Sequence, residues 1–174
     1  MRATSEGEAR GATFSVRLPL GVEAKTGQAG TVPASSALKS APPLDGLRVL
    51  VVDDNADGRT LTSLILTQSG ASVHVAATVR DARRAIEVQR PDVLVSDIGL
   101  PDEDGYALIR HVRQYEAEHG GFMPAVALTG FARAEDRART LAAGFQAYVP
   151  KPVDPVELTA AVASITQALR SGTS

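Results

Sequence analysis

The 174-residue chain contains no cysteine and no tryptophan. Without thiols it can have neither a disulfide framework nor a thiolate metal site. Aromatic residues are scarce, at 4%. An excess of either charge is also missing: 18 Lys and Arg stand against 20 Asp and Glu, for a formal net charge of -2. That balance gives no electrostatic reason to expect a nucleic acid or an anionic membrane as partner. No apolar run approaches the roughly 18 residues needed to span a bilayer, and the N-terminus lacks the apolar core of a signal peptide. Neither a Walker A loop nor a dinucleotide glycine fingerprint follows the most apolar strand, which counts against nucleotide binding there. The absences together lead us to expect a cytoplasmic chain with no direct membrane contact. At 44% hydrophobic and 22% charged, the chain is long enough to bury one core with some surplus.

The surplus lies at the front. Residues 1–20 include "GATFSVRLPL", in which Phe14, Val16, Leu18 and Leu20 alternate on one face, a strand pattern. A lone strand has nothing to pair with. Residues 21–46 are rich in Ala, Gly, Ser, Thr and Pro and have the composition of a flexible linker. From Leu47 onward, five apolar runs alternate with helical patterns: "RVLVV", "SVHVA", "DVLVS", "AVALT" and "AYV". Their continuous Val/Leu character predicts strands buried on both faces, as in a parallel sheet.

Between these runs, Leu61, Leu64 and Ile65 suggest one helical stripe, and Val79, Ala82 and Ile86 another. Leu108, Val112 and Tyr115 make a third, Ala134, Ala138, Leu141 and Ala142 a fourth, and Leu158, Val162, Ile165 and Leu169 a fifth. Asp154, Pro155 and Glu157 form a strong start signal for the last helix. Gly70 and Gly144 sit where helices should end. A βα unit repeated five times predicts an α/β domain over residues 47–170, a doubly wound parallel sheet with helices on both faces and a short tail at 171–174.

In such sheets ligands gather at the carboxyl ends of the strands. The first strand is followed by Asp53 and Asp54, the third ends at Asp97, the fourth at Thr129, and the fifth leads to Lys151. Three converging carboxylates repel one another, and a hard divalent cation would offset that. Mg²⁺ takes carboxylates, a carbonyl, waters and phosphate oxygens. One carboxylate could then attack phosphorus to give an acyl phosphate, with Thr129 and Lys151 stabilising the remaining phosphoryl oxygens.

The blocks "VLVVDDNAD", "DVLVSDIGLPDEDGYAL", "AVALTGFA" and "AYVPKPV" resemble the signatures of response-regulator receiver domains, in order, from about Leu47 to Leu169. The resemblance implies a flavodoxin-like strand order 2-1-3-4-5 with five helices. It implies Asp97 as phosphoacceptor, and Asp53, Asp54, Asp97 and the Gly99 carbonyl as ligands for Mg²⁺, or Mn²⁺ in its place. Thr129 and Lys151 would contact the phosphoryl group, Thr129 and Tyr148 would form the switch, and the Lys151–Pro152 peptide would be cis. Gly130 is expected to leave the phosphoryl pocket open. Phe131 would shield the acyl phosphate, giving a phosphorylated lifetime longer than that of the fastest receivers. The implied partner is a histidine kinase or a histidine phosphotransfer domain, and the chain is expected to be a monomer or weak dimer. The resemblance also implies a receiver that promotes its own phosphorylation and dephosphorylation; a full-length parent would be a histidine kinase, whose core is not found in this sequence.

The leading "SEGEARGATFSVRLPL" resembles the last strands of the ATP-binding domain of sensor histidine kinases, which would make this the C-terminal receiver of a hybrid kinase with no output domain behind it. Two other functions fit parts of the pattern. A phosphatase of the haloacid dehalogenase type would need Asp-x-Asp where this chain has Asp97-Ile98-Gly99. A binding module with the same fold would not use phosphorylation at all. His74, His111 and His119 show no metal-ligand pairing, and "RAEDRART" (133–140) suggests a solvated helix face with charge pairs.

Overall fold

The structure, a computed structural model, describes residues 2–5, 12–15, 44–101, 103–130 and 134–171. It separates into two compact units, residues 1–33 and 34–174. In the first unit, β1 (Arg2–Ser5) pairs antiparallel with β2 (Ala12–Ser15). The strand expected to be alone therefore has a partner. Its partner segment "RATS" has no apolar alternation to mark it, because ribbon pairing is made by the backbone. Val16, Leu18, Leu20 and nearly all of the expected linker lie outside the described residues.

The second unit runs β3 (Arg48–Val52), α1 (Ala56–Gln68), β4 (Ser72–Ala76), α2 (Val79–Gln89), β5 (Val93–Asp97), α3 (Gly105–His119), β6 (Ala125–Thr129), α4 (Ala134–Ala142), β7 (Ala147–Pro150) and α5 (Pro155–Ser171). Five parallel strands form one sheet in the order β4-β3-β5-β6-β7, so the expected 2-1-3-4-5 order with five helices is what the chain adopts. From β3 the chain steps outward to β4, then returns to the other side of β3 as β5. The crevice at this reversal lies at the carboxyl ends of β3 and β5.

Two apolar layers sandwich the sheet. One holds Leu50, Val52, Leu94 and Ala127 against α2 and α3, and the other holds Val49, Val51, Val95 and Leu128 against α1 and α5. Successive side chains of each central strand thus enter opposite layers, which is why these runs are apolar throughout. Strand β4 departs from that expectation. It is the edge of the sheet, and its His74 and Val75 are exposed.

Helix starts are capped by side chains. Asn55 accepts from Gly58 N–H at 2.8 Å, Asp104 from Ala107 N–H at 2.8 Å, and Asp154 from Val156 and Glu157 N–H at 2.9 Å. Thr78 caps α2 in the same way. Gly70 and Gly144 take the positive φ expected beyond helix ends, +96° and +115°.

Two helical faces differ from the sequence expectation. Helix α1 buries Thr62, Ile65 and Leu66, while Leu61 and Leu64 are about half exposed. The buried face is turned by one residue because a threonine, whose methyl packs like an apolar group, takes the inner position. In α4, Ala138, Leu141 and Ala142 face solvent, and Thr140 is the buried residue among its described side chains. In α5 the expected stripe is inward at Leu158 and Val162 and partly so at Ile165. No helix among the described residues is long and apolar enough to cross a membrane.

The folded body also begins earlier than residue 47. Leu44 is 1% exposed, belongs to the α1/α5 layer, and donates its N–H to Ser69 O at 2.8 Å. Proline-rich surroundings disguised it as linker. We expect Leu44→Ala to lower the unfolding free energy by about 2–3 kcal/mol, the usual cost of emptying a buried leucine site. Urea denaturation checks this, and a loss below about 0.5 kcal/mol, the surface range, would remove Leu44 from the core.

Candidate functional site

Four of the five strand ends on one edge of the sheet carry a candidate functional side chain, and β4 carries none. Asp53 follows β3, Asp97 closes β5, Thr129 closes β6, and Lys151 follows β7. Because the strands are parallel and hydrogen-bonded in register, these positions are neighbours along the edge: Asp97 pairs with Leu128, and Thr129 with Pro150. The backbone N–H of Lys151 donates to Thr129 O at 2.7 Å, which ties the last two together.

Asp53 is fully buried, Asp97 and Thr129 are buried, and Asp54 is exposed. The Lys151 ammonium donates to Asp97 Oδ2 at 2.8 Å and to Asp53 Oδ2 at 3.0 Å. Backbone amides hold the opposite oxygens. Asn55 N–H donates to Asp53 Oδ1 at 2.9 Å, and Gly99 N–H donates to Asp97 Oδ1 at 3.0 Å. Burial lowers the proton affinity of Lys151, but its hydrogen bonds to Asp97 and Asp53 and their charges more than offset this, leaving its pKa above the ordinary lysine value.

Asp53, Asp54 and Asp97 can each direct one oxygen into a cluster whose atoms all lie within 4.8 Å of one another. Three carboxylates face one ammonium, so the site retains negative charge. An all-oxygen donor set with two buried members and one open to solvent fits a hard divalent cation such as Mg²⁺ or Mn²⁺. The structure thus brings Asp53, Asp54, Asp97 and Lys151 together and places Thr129 beside them. The Lys151–Pro152 peptide is cis, as the resemblance implied.

Comparisons with known proteins identify the family. The family model for the response regulator receiver domain matches residues 49–163. The chain belongs to that family. An uncharacterized 14.6 kDa protein of Leptolyngbya boryana is 46% identical over 110 residues, covering 63% of this chain and 82% of its own length. The virulence transcriptional regulatory protein PhoP of Salmonella typhimurium is 37% identical over 114 residues, covering 66% of this chain. The chain spans about half the length of that relative, 49%. Among solved structures, a CheY-like response regulator receiver domain protein from Methanospirillum hungatei superposes with a TM-score of 0.65 at 29% identity, over 72% of this chain and 98% of its own.

Several receiver-site residues carried no recognised signal in the sequence. Arg59, one turn into α1, donates to the backbone carbonyls of Asp53 at 2.7 Å and Asp54 at 3.3 Å and so pins the acidic loop. A Cβ at Gly58 would lie 3.0 Å from Asp53 Oδ2, and one at Gly105 would lie 2.4 Å from the Asp97 carbonyl oxygen. Gly105 therefore lets α3 close against the strand end that carries Asp97. The Asp-Gly turn before α3 was a readable cue for it, and Asn55 three residues before Gly58 was one for the cap.

Tyr148 is half-buried on β7, with the Arg137 guanidinium 4.6 Å from its ring centroid. Arg139 lies in the same way over Tyr106, at 4.8 Å. Both arginines lie on the α4 face that the sequence marked as solvated; Arg133 and the Glu135 side chain of the expected charge pairs lie outside the described residues. A Cβ added at Gly130 would meet nothing within 4 Å. Phe131 lies outside the described residues.

The raised pKa of Lys151 has a signed consequence. Its ion pairs contribute stability that is complete below its unfolded-state value of 10.5 and is lost as pH rises through the higher folded-state value. In metal-free buffer, the urea-midpoint difference between the protein and Lys151→Met should hold steady up to that pH and shrink above it. A difference that already falls between about pH 7 and 9, below any lysine titration, would contradict the bridged geometry.

Proposed function

We propose that this receiver takes a phosphoryl group from a phosphohistidine onto Asp97 and uses the modification to alter its surface for a partner. The observation that carries the proposal is the buried Asp97 carboxylate, held by Lys151 and the Gly99 amide at the carboxyl edge of the sheet beside two further carboxylates. Asp53, Asp54, Asp97 and the Gly99 carbonyl would hold Mg²⁺, which when bound supplies positive charge to the phosphoryl oxygens.

An oxygen of Asp97 attacks phosphorus in line with the departing imidazole nitrogen. The P–N bond breaks, an acyl phosphate O–P bond forms, and the electron pair leaves on the imidazole. Lys151 turns part of its charge from Asp97 to a phosphoryl oxygen, and the Thr129 hydroxyl donates to another. Transfer of this kind needs positioning and charge neutralisation more than covalent help from the protein. Drawing Thr129 toward the phosphoryl group makes room for Tyr148 to turn inward, which shifts the population of the α4–β7–α5 face.

The donor is a histidine kinase or a histidine phosphotransfer domain. The likeness of the leading segment to the end of a kinase ATP-binding domain supports a place in a hybrid kinase, and the antiparallel pairing of β1 with β2 is compatible with it. Gly99 supplies no second carboxylate, which disfavours a phosphatase that turns over through Asp-x-Asp.

Intact mass after incubation with acetyl phosphate tests the proposal. We expect a gain of one phosphoryl group that requires Mg²⁺ and is absent in Asp97→Asn. No gain under any condition would favour a binding module independent of phosphorylation. The same spectra followed in time read the lifetime, and decay complete within seconds would contradict shielding by Phe131.

A further inference from the structure

We propose that Arg137 is a latch on Tyr148, holding the ring at the α4 side of the sheet and thereby setting how readily the acidic site accepts a phosphoryl-like anion. The proposal rests on the function above, in which loading of Asp97 and movement of Tyr148 are coupled.

The route open to the ring follows from the sheet. Tyr148 lies opposite Ala127, and Thr129 is two residues further along β6, so all three side chains rise from the same face. Ala127 is fully buried and ends at its methyl group, leaving little bulk between the tyrosine and the Thr129 hydroxyl. Tyr148 is half-buried and packs against the core layer that contains Ala127. The Arg137 guanidinium, 4.6 Å from the ring centroid, is the group over its face, and Arg137 itself is exposed. Inward movement of the ring must give up that contact.

Among its described side chains, helix α4 has few other fastenings. Ala138, Leu141 and Ala142 are exposed, and Thr140 is the buried one. The second fastening is of the same type but differs in freedom. Arg139 covers Tyr106, which is 8% exposed, and the Tyr106 hydroxyl lies 3.3 Å from Thr140 Oγ1. Tyr106 is thus a fixed anchor, whereas half-buried Tyr148 is the one that can leave. Arg137 is a positioning residue, acting on the acidic site only through Tyr148.

A cation–π contact at an exposed site changes a two-state ratio by about two- to five-fold. The chain has three tyrosines and no tryptophan, so fluorine NMR on 3-fluorotyrosine protein gives three resonances, assignable by single Tyr→Phe changes. The probe is beryllofluoride with Mg²⁺, compared across the parent protein, Arg137→Ala and Arg137→Lys. Without anion, Arg137→Ala should move the Tyr148 resonance toward its anion-bound position. Its beryllofluoride affinity should rise by about two- to five-fold, with Arg137→Lys in between. If Arg137→Ala changes neither quantity, or lowers the affinity, while the anion still moves Tyr148 in the parent, the latch is overturned and the switch stands. If the anion leaves Tyr148 unmoved in the parent, the switch itself fails and the latch with it.

Discussion

The Lys151 ammonium lies 3.0 Å from Asp53 and 2.8 Å from Asp97, and both carboxylates are buried. Two buried like charges on adjacent strands would push the edge of the sheet apart. The lysine, hydrogen-bonded to both, counters that repulsion. Removing one partner of such a pair costs about 3–5 kcal/mol, and the 31% exposure of the lysine side chain places this case toward the lower end. The compensation is incomplete, because the lysine neutralises only part of the charge and exposed Asp54 adds more. Under the proposed function, a divalent cation would offset the negative charge that the lysine leaves uncompensated, and only then could the site take an anionic phosphoryl group.

The fold supplies what the charges need. Parallel strands in register bring the residues after β3, β5, β6 and β7 to one edge, and the reversal between β3 and β5 opens the crevice there. Rigid supports then fix the geometry: Arg59 pins the acidic loop through its carbonyls, the Gly99 amide aims Asp97, and Gly105 lets α3 approach the strand end. Among its described side chains, α4 is fastened through tyrosines and not through an apolar stripe. A rigid site beside a helix fastened in this way suits the conversion of a local charge change into a surface change.

The central strands were legible because burial on both faces leaves them continuously apolar, and the site was legible because polar residues interrupt those runs at their carboxyl ends. What escaped was decided by tertiary context. Thr62 and Thr140 take inner positions that a hydrophobicity pattern assigns to neighbours, shifting the buried faces of α1 and α4. β4 looks like a core strand and is an edge, because strand order is not written in any one segment. Leu44 sits among prolines and alanines and still fills the core. Arg59 acts on backbone carbonyls and Gly58 through the absence of a side chain, and neither leaves a pattern of residue types; Gly105 had a cue only in the Asp104 before it.

The proposed phosphoryl transfer depends on one nucleophile, Asp97. Borohydride reduction of the protein after loading with acetyl phosphate and Mg²⁺ converts an aspartyl phosphate to homoserine, which peptide mass spectrometry places in the sequence. Homoserine at position 97 alone is the predicted result. Homoserine at 53 or 54, or at no aspartate in a protein that has gained a phosphoryl group, would contradict it.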